Sequence, residues 1–396
     1  MRKKSIYFDN AAATLVDRGI QNLVVSVERK YFANPSGLSL GAQKAAEFIR
    51  DCKKTIAGLL HTQEDTLFFT HSGTHSINLA LQGFLQSDAV KHHAKTPHVV
   101  TTNIEHSAVR NTLRELESQD RITLTEVGVD REGLVSAEHI MAAIRPETVL
   151  VSIMMVNNEI GTIEKIDVIG REILKQRKSN NTPFPYFHSD ACQAPSELEL
   201  QVEKLHVDLL CLNGSKMHAP RGTGLLYKRR NVPFAPIEYG GGQQQGIVPG
   251  TQDVARIAAF SQSFVMAQDR VKTHRKKMLR LSQVFLKGLR ELFPDVQVNG
   301  PEIGGEHRAA NNLHVSFPGV DGEQLAIYLD AQGVVVGLGS ACTAFSDETS
   351  HVLTAIGMTP EQAKSSIRIT FGKQNTLSEV KRALRAFKKV KKLLYA

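Results

Sequence analysis

The sequence predicts an α/β protein with a mostly parallel, doubly wound sheet in a large unit and a smaller α+β unit attached. Two observations carry this expectation. Short apolar runs rich in β-branched residues alternate with helical patterns from about residue 55 to 230. A long polar loop, GGGQQQGIVPGTQD at 240–253, then ends that alternation, and a different pattern follows. At 396 residues the chain is long enough for two domains.

Taken in order, the expected strands are TLFFT (66–70), HVVTTN (98–103), ITLTEVG (122–128), VLVSIMMV (149–156), PYFHSD (185–190), VDLLCL (207–212) and GLLYKRR (224–230). Between them HSINLALQGFLQ (75–86) and SAVRNTLRELES (107–118) carry helical spacing. A long helical region is expected over about 253–293. NNLHVSFPG (311–319), a helix near 322–332, VVVGLG (334–339) and a basic terminal helix form the smaller unit. In such sheets ligands bind at the carboxyl ends of the strands.

Composition narrows the classes of function. Hydrophobic content of 41% and charged content of 22% are those of a soluble globular protein. The basic start MRKKSIYFDN reaches Asp9 before a signal-peptide core could form, and the longest apolar stretch is too short to span a bilayer. A cytoplasmic protein with no membrane contact is expected. The four cysteines, Cys52, Cys192, Cys211 and Cys342, form no CxxC pair and no zinc-ligand spacing, so no metal is expected. Cys211 reads as buried in its strand. The net charge of +8 draws on the last helix, where seven Lys or Arg fall between Lys381 and Lys392. Val380, Leu384, Phe387 and Leu394 give that helix one packing face. Its basic face is either solvated or a docking surface for an acidic protein. No nucleic-acid-binding motif supports direct binding to RNA or DNA.

Two residues stand in unusual settings. Lys216 follows an apolar strand in VDLLCLNGSK, and Cys342 lies among small residues in VGLGSACTAF. An amine can bond covalently to an aldehyde cofactor, and a thiol can accept an atom from a substrate. Asp190 ends the strand before that of Lys216, where a carboxylate can balance a protonated ring nitrogen; a helix N-cap would use the same residue type. Gly73 and Thr74 open a helix after a strand, a place suited to phosphate. His106 sits at the next strand-to-helix junction, where a histidine can stack on a flat ring or move a proton, or simply face solvent. Asn158, in VNNEIG, and Gln193 could hydrogen-bond a cofactor's oxygen. Arg368, in SSIRITFG, could grip a substrate carboxylate or serve in a structural ion pair.

The set FDNAAAT, NPS, EHSAV, VNNEIG, HSDACQ, GSK, GGG…GT, GSACT and SSIR resembles the pyridoxal-phosphate-dependent cysteine desulfurases of the class V aminotransferase group, which have fold type I. The resemblance covers nearly the whole chain in order, and GSACT is similar to the group whose cysteine sits in a long mobile loop. It implies a large domain at 15–255 and a small domain formed by 1–14 and 256–396. It implies that Lys216 binds pyridoxal 5'-phosphate covalently, Asp190 pairs with its ring nitrogen and His106 stacks on it. Asn158 and Gln193 would hold its ring substituents. Gly73, Thr74, Asn213 and Ser215 would face its phosphate, with Thr251 reaching in from the partner subunit of a homodimer. Arg368 and Asn34 would bind the carboxylate of L-cysteine. Cys342 would become a persulfide, and an iron–sulfur scaffold or sulfur carrier would accept the sulfur, for cluster assembly or tRNA thiolation.

The chain departs from the family pattern on the phosphate side. Ser215 stands where His is usual and Asn213 where Ser is usual; Val248 and Pro249 replace an Arg-Ser pair; NPSGLSLG lacks a following His; His75 replaces an acidic residue and Cys192 a threonine. Weaker cofactor retention is expected unless His75 or Arg221 compensates. A selenocysteine lyase or another β-eliminating enzyme, and a non-catalytic homologue acting as a binding partner, are the alternative readings.

Overall fold

The computed structural model describes residues 5–339 and 349–394. Among these, twelve strands form three sheets: β1 (Ile6–Phe8), β2 (Leu67–Thr70), β3 (His98–Thr102), β4 (Thr123–Val127), β5 (Thr148–Ser152), β6 (Tyr186–Asp190), β7 (Leu209–Asn213), β8 (Gly224–Lys228), β9 (Gln297–Val298), β10 (Asn312–Ser316), β11 (Val334–Val336) and β12 (Ser366–Thr370). The seven-stranded sheet runs β2-β8-β7-β6-β5-β3-β4. All its pairs are parallel except those of β8 with β2 and β7.

Burial on both faces explains why these strands read as unbroken apolar runs. β7 sends Leu209 and Cys211 to one core and Leu210 and Leu212 to the other, the period of two that a pleated strand imposes. Helices Gly73–Leu85 and Ser107–Ser118 cover the first face, and helices Leu40–Leu60, Ile166–Ser179 and Val254–Gln268 the second. Cys211 is buried in its strand as expected, and Cys52 and Cys192 are buried and unpaired.

The strict alternation of strands and helices fails at one place, and that place builds the site. Between β7 and β8 the chain makes only the short turn Gly214–Lys216 before returning. A parallel crossover needs about a dozen residues or more, so β8 comes back antiparallel. VLVSIMMV also ends early as a strand. Beyond Ser152 the chain stays buried beside β6, with Ile153 N–H donating to His188 O at 3.1 Å and Met155 N–H to Asp190 O at 2.8 Å. The region 253–293 divides at Asp269–Arg270 into helices Val254–Gln268 and Val271–Leu292. Helices Arg18–Lys30 and Leu40–Leu60 lie where the sequence analysis placed no element.

A third core joins β1 with β9–β12 and helices Val271–Leu292, Gly322–Ala331 and Leu377–Leu394. The terminal helix buries Val380, Ala383, Phe387 and Val390 and exposes Lys381, Arg385, Lys388, Lys389 and Lys392. The segment after β1 leaves this core and bridges to Thr370 at Asp9, then runs on toward the carboxyl ends of β6 and β7. Among the described residues no helix is long and apolar enough to cross a membrane.

Candidate active site

A cavity of about 320 Å3 opens at the carboxyl ends of β5, β6 and β7. It is lined by Lys216, Asp190, His106, Asn158, Gln193 and Arg368, together with Gly73, Thr74, Asn213 and Ser215. Ten of the predicted site residues therefore meet at one place.

Lys216 closes the short turn after β7. Its Nζ donates to Ala11 O at 2.7 Å and to Ala12 O at 2.6 Å. Burial pushes this amine below its ordinary value; Arg368 adds to that, while Cys192, Asp9 and Asp190 oppose it. A neutral fraction of the amine is therefore more accessible than for a surface lysine, as a nucleophile or base requires. Gln193 Nε2 donates to the same Ala11 carbonyl at 2.9 Å.

Asp190 ends β6 and is 5% exposed. Its Oδ1 accepts from Cys192 N–H at 2.9 Å, the Cys192 thiol hydrogen-bonds the same carboxyl, and the carboxyl lines the cavity. His106 caps helix Ser107–Ser118, with Nδ1 accepting from Ala108 N–H at 3.1 Å. Burial lowers its pKa, with Asp190 opposing and Lys216 assisting, so the ring is neutral at pH 7 and carries its proton on Nε2.

The residues present fit pyridoxal phosphate. The Asp190 carboxyl, buried at the cavity wall, suits a protonated ring nitrogen. At the start of helix Gly73–Leu85, Ser72 Oγ accepts from His75 N–H at 3.0 Å. The N–H groups of Gly73 and Thr74 find no acceptor among the described residues, an arrangement ready for an anion. Gly73 is needed there, because a β-carbon would lie 2.6 Å from Cys192 Sγ. Asn213 Oδ1 accepts from both Ser215 N–H (3.0 Å) and Ser215 Oγ (2.9 Å). The two departures from the family pattern thus satisfy each other and shape the turn. Of the two compensating residues expected, Arg221 lines the cavity. His75 does not: its Nε2 lies 3.0 Å from Glu238 Oε1 and its ring stacks on His71 at 5.4 Å.

Arg368 shows both of the alternatives read from sequence. It lines the cavity yet is also ion-paired, with Nη2 donating to Asp9 Oδ1 at 2.7 Å and Nη1 to Asn158 O at 2.9 Å. Its buried Nε has no partner. Asn34 lies outside this cavity in an exposed turn, its Oδ1 accepting from Ser36 N–H at 3.0 Å. Thr251 is exposed and lines a separate, smaller cavity with His71 and Arg256. Cys342 lies outside the described residues.

The sequence reading missed several contributors. Asp9 and the carbonyls of Ala11 and Ala12 belong to FDNAAAT, and nothing local shows that this motif reaches across to β7 and β12. Glu105 is fully buried, accepts from Thr102 Oγ1 at 2.7 Å and Met154 N–H at 2.9 Å, and is pushed up to about 8 by burial. Glu159, in VNNEIG, accepts from Ser350 Oγ at 2.6 Å. His351 Nε2 hydrogen-bonds Glu105 O at 2.9 Å.

A buried lysine, a carboxylate and an anion-ready helix start, set around one cavity of a parallel sheet, define a cofactor-dependent enzyme. The chain belongs to the aminotransferase class-V family, whose model matches residues 6–383, and within it to the cysteine desulfurases. It is 36% identical over 381 residues to a cysteine desulfurase IscS of Methanosarcina thermophila, covering 96% of this chain and 90% of the relative. Against the cysteine desulfurase IscS of Neisseria gonorrhoeae it is 38% identical over 390 residues, covering 98% and 92%. A solved NifS-like protein superposes with a TM-score of 0.89 at 31% identity, covering 98% of this chain and 100% of that one. SspA in complex with cysteine gives a TM-score of 0.78 at 30% identity over 93% and 99%.

Proposed function

We propose that this enzyme converts L-cysteine to L-alanine and moves the sulfur to Cys342 as a persulfide. The observation that carries the reading is the meeting of Lys216, Asp190 and Arg368 around one cavity in a chain of the cysteine desulfurase family. Pyridoxal phosphate, when bound, supplies an electron sink that acidifies the substrate Cα–H and loosens its Cβ–S bond.

The chain's own groups do the rest. Lys216 holds the cofactor and moves a proton at the substrate Cα. The Asp190 carboxylate would balance a positive charge at the ring nitrogen. His106 would stack as a neutral ring on the cofactor, and Asn158 and Gln193 would hold its ring substituents. The helix start at Gly73 and Thr74, with Asn213, Ser215 and Arg221, receives the phosphate. Arg368, held at the cavity wall by Asp9, binds the substrate carboxylate. The thiolate of Cys342 attacks the substrate sulfur. An S–S bond forms, the Cβ–S bond breaks, and the electron pair released takes up a proton at Cβ to give alanine.

The reading includes a homodimer. Asn34 and Thr251 do not line their own chain's cavity, as fits residues that serve the partner subunit's site. Near them in sequence Phe32, Leu38 and Tyr239 are 86%, 93% and 89% exposed, surface that a partner would cover. A large unit over 15–255 and a small one over 1–14 and 256–396 are also part of the reading. The packing of Val254–Phe264 in the large core favours a boundary nearer Asp269. Cytoplasmic location, and an acceptor protein with an acidic surface for the basic face of Leu377–Leu394, complete it.

The test is release of sulfide and alanine from L-cysteine, with cofactor and thiol reductant, by wild type, Lys216→Ala and Cys342→Ala. Equimolar products from wild type and background from both variants are expected. Alanine without sulfide, or full turnover by Cys342→Ala, would sink the proposal. Cys342→Ser is expected to keep the cofactor absorbance and form no persulfide.

A further inference from the structure

Behind the lysine turn lies a second cavity, of about 270 Å3, that the reaction does not use. Met217 and His218, the two residues after Lys216, form part of its wall. Its floor is apolar, built from Ile20, Met217, Met266 and Ala267. Its rim is basic, with Arg270, Lys277 and Lys373. Asp17 is the one acid among the described residues lining it, and it is consumed by an ion pair with Lys373. Arg270 and Lys277 are in no ion pair among the described residues; Lys277 Nζ donates to Lys373 O at 2.6 Å, and Glu379 acts on it only from beyond salt-bridge distance.

Ser263 adds a polar residue to the wall. It is 1% exposed, it lines the cavity, and its hydroxyl has no hydrogen-bond partner. A buried hydroxyl in a helix ordinarily finds one. His218 and His274 also face the space. Burial pushes both down to about 4, so at neutral pH they are hydrogen-bonding groups and not charges. A free phosphate would leave the methionine and isoleucine floor unfilled, and a hydrocarbon would leave Arg270, Lys277 and Ser263 unanswered. The volume is just under the roughly 300 Å3 at which ligand pockets usually begin, which limits the ligand to a short chain.

The wall between the two cavities is a single hydrogen-bonded seam. Thr14 N–H and Thr14 Oγ1 both donate to Ser215 O at 2.9 Å, His218 N–H donates to Thr14 Oγ1 at 2.8 Å, and His218 Nδ1 bonds Leu15 O at 2.8 Å. On the far side of the same seam Lys216 Nζ is held by Ala11 and Ala12. His218 has φ +67°, a left-handed backbone that a residue with a β-carbon rarely adopts, so the seam is held in one shape by its contacts.

We propose that this is an effector site: it takes a small organic carboxylate with a short apolar tail, and its occupancy is transmitted to Lys216 across the seam of 11–17 and 215–218. The second half rests on Lys216 carrying the cofactor; the first half does not.

Hexanoate is titrated into the holoenzyme by calorimetry while the cofactor absorbance is followed, with hexylamine and acetate as comparisons. Saturable binding of hexanoate, absent for hexylamine and at least tenfold weaker for acetate, is expected, with an absorbance change of the same midpoint. Ala267→Phe fills the floor and is expected to abolish both signals, whereas a carboxylate sitting at Arg368 would still bind this variant. Lys277→Gln, at a less buried position, is expected to weaken binding about tenfold and serves if Ala267→Phe does not fold. No saturable binding, equal binding of hexylamine, or binding unchanged in the two variants overturns the site. Binding without an absorbance change overturns the coupling. Saturable binding by a protein that makes no alanine from cysteine would leave the site standing and count against the desulfurase reading alone.

Discussion

Asp9 holds Arg368 by a 2.7 Å ion pair in which the arginine side chain is 2% exposed. The amino-terminal segment therefore aims the residue proposed to meet the substrate carboxylate. Breaking a buried pair by removing one partner costs about 3–5 kcal/mol. Asp9→Asn, which keeps one hydrogen-bond acceptor, is expected at the low end, about 3 kcal/mol by denaturant unfolding, with a KM for cysteine raised about tenfold. Arg368→Lys loses the planar fork and is expected to raise KM about a hundredfold. An unchanged KM in both variants would remove Arg368 from substrate binding.

Ser215 and Asn213 hold each other in the turn proposed to receive the cofactor phosphate. Cofactor absorbance is expected to fall during prolonged dialysis. Ser215→Ala deletes the 2.9 Å hydroxyl bond to Asn213, worth about 1 kcal/mol, and is expected to speed that loss about fivefold. Retention equal to wild type would show that the turn holds its shape without this bond.

Gly73 and Cys192 cannot both carry larger side chains. Gly73→Ala puts a β-carbon 2.6 Å from Cys192 Sγ, an overpacking expected to cost about 1–3 kcal/mol. Cys192→Ala beside it should recover most of that cost. A double-mutant cycle on thermal unfolding checks this; additive losses would mean the clash is relieved elsewhere.

The dependence of stability on pH follows from buried groups of two kinds. Burial pushes Glu105 and Glu164 up to about 8 and Glu197 to about 7. Their ordinary value is 4.5, so the fold binds protons the unfolded chain has lost, and their stabilisation falls as pH rises from about 4.5 through 8. Burial pushes His98, His188, His218 and His274 down to about 4 and His314 to about 3. From an ordinary value of 6.5, their contribution is full above that pH and is lost as pH falls toward 4. The histidines outnumber the carboxyls below 6.5; above it the carboxyls dominate until about 8, where Lys53 and Arg308, pushed down by burial to about 8 and about 9, begin to oppose them. Melting temperature measured against pH is expected to peak near 6.5, and Glu197→Gln to flatten the alkaline limb.

Elements with strong local patterns were legible in the sequence. Helix Ser107–Ser118 lies where its spacing puts it, β3 and β6 fall within a residue of their apolar runs, and β10 occupies the first part of its run. The reversal of β8 was not, because the shortness of the 214–223 connection matters only once β7 and β8 are known to be neighbours. Nine of the ten predicted residues that line the cavity were legible because each ends or closely follows a strand, or starts a helix, on one edge of the seven-stranded sheet; Arg368 instead comes from the middle of β12 in the three-stranded sheet. Asp9, Glu105 and Glu159 were not legible. Their roles depend on partners at Arg368, Met154 and Ser350, which sequence distance hides.

The carbonyls of Ala11 and Ala12 have a consequence for anyone handling the protein. The first strand and the turn after it are working parts of a site whose lysine is some two hundred residues away. A proteolytic clip after Thr14 would leave the seven-stranded sheet whole. It would strip Lys216 and Gln193 of their common acceptor and release Arg368 from Asp9. Loss of the segment would also take Ile6 and Phe8 out of the third core, so an amino-terminal sequence check belongs beside every activity assay.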